Sequence, residues 1–130
     1  MSLSPHSVTG GVRTLLRLEG AAVCIAALVA YQQGGTPWWW FAAMFLVPDL
    51  AMIAYAAGPA IGARAYNAVH SYIVPVLLVV IALLIPAARI CMPVALVWLA
   101  HIGVDRALGY GLKYASAFSD THLGRIGRPA

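Results

Sequence analysis

The chain has 130 residues, of which 62% are hydrophobic and only 9% are charged, and its formal net charge is +4. This composition excludes an ordinary soluble domain and indicates a single membrane domain over residues 1–130. The positive charge does not indicate nucleic-acid binding, because the basic residues stand at the ends of apolar segments and form no stripe: Arg13, Arg17, Arg64, Lys113, Arg125 and Arg128.

Four apolar segments follow one another at about 12–32, 38–57, 59–85 and 92–112. Each is close to the roughly 20 residues that an α-helix needs to cross a bilayer. The predicted fold is therefore all-α, an integral membrane bundle of four transmembrane helices with a short cytoplasmic tail at 113–130. Trp38, Trp39 and Trp40 suit the headgroup boundary, and Pro75 predicts a kink in the third segment.

The basic residues also predict the orientation. They flank the first segment, the second connection and the tail, whereas the first connection has none and the third has only Arg89. Because cytoplasmic loops are enriched in Lys and Arg, we expect a multi-pass protein of the bacterial inner membrane with both termini in the cytoplasm.

In this orientation, six ionisable residues lie at similar depth in the cytoplasmic leaflet: Glu19, Asp49, His70, His101, Asp105 and Arg106. A charge within hydrocarbon costs a few kcal/mol or more, so such groups usually face inward, pair with one another and mark a functional site. The sequence therefore predicts one shared polar cavity near the inner face.

His101 and Asp105 are spaced i and i+4 and share one helical face. A carboxylate at this distance can orient the imidazole or join it as a metal ligand. The alternative interpretation is a buried ion pair of Asp105 with Arg106 or Arg64.

Asp49 follows Pro48, which frees the carbonyl of Met44 and opens the helix locally. An open helix beside a carboxylate suits an ion or ligand site. Alternatively, Asp49 only caps the loosened backbone groups of a kinked helix.

Tyr66 and Asn67 share the helical face of His70. They either contribute to the site or form hydrogen bonds that hold helices together. Glu19 precedes Gly20, a residue that permits close helix approach, and Glu19 either joins the cavity or neutralises an arginine on a neighbouring helix.

The tail carries Asp120 and His122, which either cover the polar layer and add ligands or have no role there. For the basic residues Lys113, Arg125 and Arg128, we expect contact with anionic lipid headgroups.

Residues 11–128 resemble a bacterial family of small four-helix integral membrane proteins known as a domain of unknown function. The resemblance is carried by Arg17-Leu18-Glu19-Gly20, Pro48-Asp49-Leu50, Tyr66-Asn67 with His70, His101-Ile102-Gly103 with Asp105-Arg106, and Asp120-Thr121-His122-Leu123-Gly124. It implies the fold and the membrane and brings no activity.

A second resemblance is to membrane-bound metal-dependent hydrolases, whose ligand pattern is similar to that of zinc phospholipase C. The matching order is Pro48-Asp49-Leu50, then His70-Ser71, then His101 with Asp105. It implies Asp49, His70, His101 and Asp105 as ligands of zinc or a similar divalent ion, acting on a lipid-like ester or phosphoester. Tyr66 and Asn67 stand where that family has a His-Arg pair.

Three functions follow as hypotheses. The first is a metal-dependent hydrolase at the cytoplasmic leaflet, with a lipid-like small-molecule substrate. The second is a non-catalytic subunit or scaffold whose buried polar layer specifies helix packing or docking of a homo-oligomer or membrane partner. The third, a small transporter or proton path, is disfavoured because the outer leaflet carries almost no ionisable residue.

Overall fold

The computed structural model describes residues 6–127, so Arg128 of the predicted basic tail lies outside the described residues. The helices are α1 (Gly10–Gly34), α2 (Trp38–Met44), α3 (Pro59–His70), α4 (Ile73–Leu84) and α5 (Met92–Leu108), joined by 3-10 segments at Val47–Ala57 and Pro86–Cys91. Within this part of the chain they form four units long and apolar enough to cross a membrane: Gly10–Gly34, Trp38–Ala57, Pro59–Leu84 and Pro86–Leu108. The predicted all-α bundle of four candidate membrane helices is confirmed.

Two of these units are broken four residues before a proline. A proline ring clashes with the carbonyl of residue i−4 and cannot supply the hydrogen bond to it. Accordingly, α2 ends at Met44, four residues before Pro48, and α3 gives way at Ser71, where ψ is 152°. The kink predicted at Pro75 is therefore a break at Ser71, with Pro75 in the first turn of α4.

The centre of the bundle is α5, which has buried residues along most of its length. α1 crosses it where Gly20 meets Gly103. A Cβ atom built on Gly103 would lie 2.6 Å from the Gly20 carbonyl oxygen, so this close crossing requires glycine. Large apolar side chains cover the outside, with Leu84 75% and Ile90 82% exposed, as expected of a surface that faces lipid.

α5 ends at Leu108, before the predicted 112, because Gly109 adopts a left-handed conformation with φ of 94°. The following tail is folded. Its strands β1 (Asp120–Thr121) and β2 (Gly124–Arg125) pair antiparallel, and the side chain of Leu123 is fully buried.

The tail lies at the same end of the bundle as the start of α1, since the Val8 N–H donates to the His122 carbonyl at 2.9 Å. We call this the polar end. The opposite end, which we call the aromatic end, is the cluster of Tyr31, Trp38 and Phe41, whose ring centroids lie 4.9–5.1 Å apart.

Candidate metal centre

Four potential metal ligands from three helical segments meet inside the bundle. Asp49 comes from the Val47–Ala57 segment, His70 is the last residue of α3, and His101 and Asp105 lie one turn apart on α5. One ligand atom from each lies within 4.8 Å of the others. The histidines are buried and the carboxylates are partly exposed. These are the four ligands that the hydrolase resemblance implies.

Five separations between ligand atoms are close to the edges of a tetrahedral site, and all four residues offer ligand atoms within 4.8 Å of one another. The Nε2 atoms of His70 and His101 are 3.2 Å apart, and each is 3.2 Å from Asp49 Oδ1. Asp105 Oδ2 lies 3.6 Å from His70 Nε2 and 3.4 Å from His101 Nε2. A tetrahedral ion with ligands at about 2.0–2.1 Å has ligand–ligand edges of about 3.3–3.4 Å. The residues therefore fit a divalent ion such as zinc.

The two proline breaks position two of the ligands. Pro48 directly precedes Asp49, and the break caused by Pro75 follows directly after His70. At this break the His70 carbonyl is free of the α-helical pattern and accepts a hydrogen bond from Arg106 Nη2 at 2.9 Å. The guanidinium of Arg106 thus holds the end of α3 against α5.

His70 is oriented by Tyr66. Its Nδ1 lies 3.0 Å from the Tyr66 carbonyl oxygen, so the proton resides on Nδ1 and the Nε2 lone pair is free for a metal. The two rings stack at 3.7 Å with an interplanar angle of 6°. The Tyr66 hydroxyl lies 3.5 Å from Asp105 Oδ2. The ring of His101 packs against Phe45 at 5.1 Å.

Asn67 reaches the tail. Its Nδ2 donates to the Lys113 carbonyl at 2.8 Å, and its Oδ1 accepts from the Lys113 N–H at 2.7 Å. Asn67 is therefore no ligand, and its side chain fixes the backbone of Lys113. This agrees with the interpretation of Asn67 as a polar contact between segments.

Lys113 itself was expected at the headgroups, and this expectation is wrong. Its side chain is only 4% exposed, because the chain turns back over the bundle after Gly109. Burial lowers the pKa of Lys113 to about 8. The sequence signal that points to this placement is the pair Gly109 and Gly111, which ends α5 directly before the lysine.

Glu19 does not join the cavity, and the prediction that all six ionisable residues meet there is wrong for it. The face of α1 that packs on α5 carries Gly20, Ala27 and Tyr31, and residue 19 is turned about 100° from Gly20. Glu19 is exposed and makes no ion pair with a residue between 6 and 127. The proposed neutralisation of an arginine is therefore also wrong among these residues.

The alternative pairing of Asp105 with an arginine is not observed. In the part of the chain that the structure describes, Asp105 lies beside the two histidines and forms no ion pair with Arg106 or Arg64. Besides the His70 carbonyl, Arg106 contacts the Tyr110 carbonyl at 3.3 Å. It supports the site and is no part of the ligand set.

The sequence did not decide the role of the two tail residues Asp120 and His122, and both make structural contacts. Asp120 pairs with Arg125 at 3.3 Å and accepts from Ser116 Oγ at 2.7 Å. His122 Nδ1 accepts the Leu112 N–H at 2.9 Å, and burial together with the charge of Arg106 lowers the pKa of His122. Neither residue is among the metal-ligand candidates.

Two openings adjoin the cluster. A polar cavity of about 310 Å³ is lined by Asp49, Met52, Tyr66, Asp105, Tyr110, Lys113, Phe118 and Ile126. A larger apolar groove of about 520 Å³ is lined by Trp40, Met44, Val47, Pro48, Leu50, Ala51, Val69, Val94, Val97 and Trp98. The segment Val47–Ala57 contributes to both, so a polar and an apolar surface lie on either side of Asp49.

Comparison with known families gives one match. The family model described as Domain of unknown function (DUF4260) matches residues 13–126. No curated protein and no solved structure matches the chain.

Proposed function

The chain belongs to this family of small four-helix membrane proteins, and we propose that it is a metal-dependent hydrolase of a lipid-like ester or phosphoester. The observation that carries the proposal is the set of five ligand-atom separations between 3.2 and 3.6 Å. They match the edges of a tetrahedral zinc site, and two of the four ligands line an open cavity.

The donor set defines what the site can do. Two imidazole nitrogens and two carboxylate oxygens suit zinc and neighbouring divalent ions. With all four protein ligands bound, such an ion would take a water molecule or a substrate oxygen as a fifth ligand, from the cavity that Asp49 and Asp105 line. It would then acidify the water and polarise an ester or phosphoester oxygen. The Asp49 side chain is 30% exposed and Asp105 17%, so the carboxylate side of the cluster is the side that substrate approaches.

A lipid-like substrate is supported by where the site lies. The cluster sits within segments that are apolar enough to cross a membrane, and the apolar groove runs past Pro48, next to Asp49. An amphiphile can place its chain in this groove and its polar group beside the carboxylates. The membrane lipids are thus the proposed source of substrate.

We further place the polar end on the cytoplasmic side of a bacterial inner membrane. Arg13, Arg17, Arg64 and Arg125 all lie near this end, whereas only Arg89 flanks the other. A reporter fused after residue 130 tests this: it should be active as a cytoplasmic and inactive as a periplasmic reporter. The reverse result would move the site to the other compartment.

Metal analysis of the purified protein tests the proposal most simply. Wild type in detergent should retain about one zinc per chain after dialysis against zinc, and His101→Ala should retain none. His6→Ala is the matched control, since His6 is exposed and outside the cluster, and it should bind zinc like wild type. The zinc-loaded wild type should cleave a phosphoester or carboxylic ester in mixed micelles, and failure to bind any divalent metal would exclude the hydrolase.

The second candidate is a non-catalytic membrane subunit that docks to a second copy or to a membrane partner, and the contact of Arg106 with the His70 carbonyl favours it. In that case the buried polar groups hold the helices together. Replacing His70 by Ala would then unfold the protein without any metal having been present, because it leaves carboxylates unpaired.

A further inference from the structure

Lys113 lines the same polar cavity as two of the metal-ligand candidates but is not a ligand. The cavity brings its side chain together with Asp49 and Asp105 on one side and with Tyr110 and Phe118 on the other. A buried ammonium is costly unless it is paired and hydrogen-bonded. The contacts of this lysine therefore indicate what the cavity accepts.

The ammonium group makes no direct ion pair, although the carboxylates of Asp49 and Asp105 line the same cavity. Its Nζ donates to the Phe118 carbonyl at 2.8 Å and lies 3.6 Å from the centroid of the Phe118 ring and 4.6 Å from that of Tyr66. No carboxylate within residues 6–127 lies within ion-pair distance of it. An ammonium has three N–H donors, and within residues 6–127 only the Phe118 carbonyl accepts a hydrogen bond from this one.

The position of Lys113 is fixed from α3. Both backbone hydrogen-bonding groups of Lys113 are satisfied by the Asn67 side chain, at 2.7 and 2.8 Å. Asn67 lies one residue after Tyr66 and three before His70, so the helix that supplies a metal ligand also sets the lysine in place. The cation is therefore part of the site and no mobile headgroup contact.

We propose that the Lys113 ammonium binds an anionic oxygen of the substrate, which makes the substrate a phosphoester and not a neutral carboxylic ester. This inference rests on the proposed function for the reaction, and the anion binding is measured separately from it, with and without metal. The shared chemistry is a phosphate group, whether on a membrane lipid or free in solution.

Binding is the test, because it does not depend on turnover. Wild type, Lys113→Gln and Lys113→Arg are titrated in detergent micelles with didecanoyl phosphatidic acid, with didecanoyl glycerol and with inorganic phosphate, each with and without zinc. We expect wild type to bind the lipid phosphate at least about tenfold more tightly than the neutral lipid. Lys113→Gln should lose that preference, and Lys113→Arg should keep most of it.

The arms separate the possible outcomes. Binding of lipid phosphate but not of inorganic phosphate identifies a headgroup site, and equal binding of both identifies a phosphate site. If wild type does not prefer the lipid phosphate over the neutral lipid, the proposal is wrong, and this comparison stands even if Lys113→Gln does not fold. An unchanged preference in folded Lys113→Gln also overturns it.

The metal arms keep the two proposals distinct. A protein that binds lipid phosphate through Lys113 but takes up no zinc would contradict the hydrolase and leave the anion site in place. If wild type and Lys113→Gln each take up one zinc and cleave a neutral ester equally well, the anion site is contradicted and the hydrolase stands.

Discussion

The two ends of this bundle are held together by different means. At the aromatic end, Tyr31, Trp38 and Phe41 pack ring against ring, with single hydrogen bonds from the Tyr31 hydroxyl to the Pro37 carbonyl and from Trp38 Nε1 to Gln32. At the polar end, charged and polar side chains from every segment bond to one another and to free carbonyls. We therefore expect only the polar end to respond to metal, protons and anions, with the aromatic end as its internal control.

The largest difference between the ends concerns metal affinity. His101→Ala removes one of four ligands and should lower zinc affinity by at least about 100-fold, since even the groups that only support a ligand are worth 10–100-fold. Competition of each variant with a zinc chelator measures this. Zinc affinity within a factor of two of wild type would show that His101 does not contact the metal.

The next effect concerns the two hydrogen bonds between the Asn67 side chain and the backbone of Lys113. Asn67→Ala leaves a buried N–H and a carbonyl of Lys113 without partners, which should cost about 1–3 kcal/mol in the free energy of unfolding. Zinc content should stay at one per chain, because Asn67 is no ligand. Denaturant unfolding in detergent measures the free energy of unfolding, and metal analysis measures the zinc content. Loss of zinc with unchanged stability would instead make Asn67 part of the metal site.

A pH effect on docking is expected in the tail. Folding lowers the pKa of His122, so the folded tail binds fewer protons than the released tail, and docking weakens as pH falls below about 6.5. The weakening is at most about tenfold per pH unit for one proton. Protection factors for hydrogen exchange, which correct for the intrinsic pH dependence of exchange, should therefore fall for residues 112–126 between pH 7.5 and 5.5, while those of α2 stay unchanged.

His122→Asn is the matched variant for this effect. Its Oδ1 can accept the Leu112 N–H but does not titrate. The protection factors in the tail should become independent of pH in this variant. If it persists, a group other than His122 controls docking.

The smallest effect is expected at the aromatic end. Tyr31→Phe removes one hydrogen bond and keeps the ring packing, so it should cost about 0.5–1.5 kcal/mol in unfolding free energy. Zinc and lipid-phosphate affinities should match wild type. A change in the zinc affinity or in the lipid-phosphate affinity would mean that the two ends are coupled.

Much of the architecture was predictable because it depends on local properties of the sequence. Segment length and hydropathy predict the four spans, and the i−4 effect of proline predicts where helices open beside Asp49 and after His70. The spacing of His101 and Asp105 places both on one face of α5. These signals were sufficient to predict a shared polar cavity, whereas the set of four ligands was implied by the resemblance to membrane-bound metal-dependent hydrolases.

The predictions that were wrong involve contacts between distant parts of the chain. Whether Glu19 faces the cavity depends on which face of α1 meets α5, and that is decided by the close approach of Gly20 and Gly103. The burial of Lys113 depends on Asn67, 46 residues earlier, and the docking of the tail on a bond from Val8. Periodicity and composition do not encode such pairings.

The central claim is that Asp49, His70, His101 and Asp105 bind one divalent ion together. X-ray absorption at the zinc edge of zinc-loaded protein in detergent tests it most directly. We expect four protein ligands, and at most one further oxygen from water, at about 2.0–2.2 Å, with the scattering of two imidazoles. Any zinc retained in His70→Ala should show one imidazole fewer. Zinc without imidazole scattering, or no bound zinc at all, would contradict it.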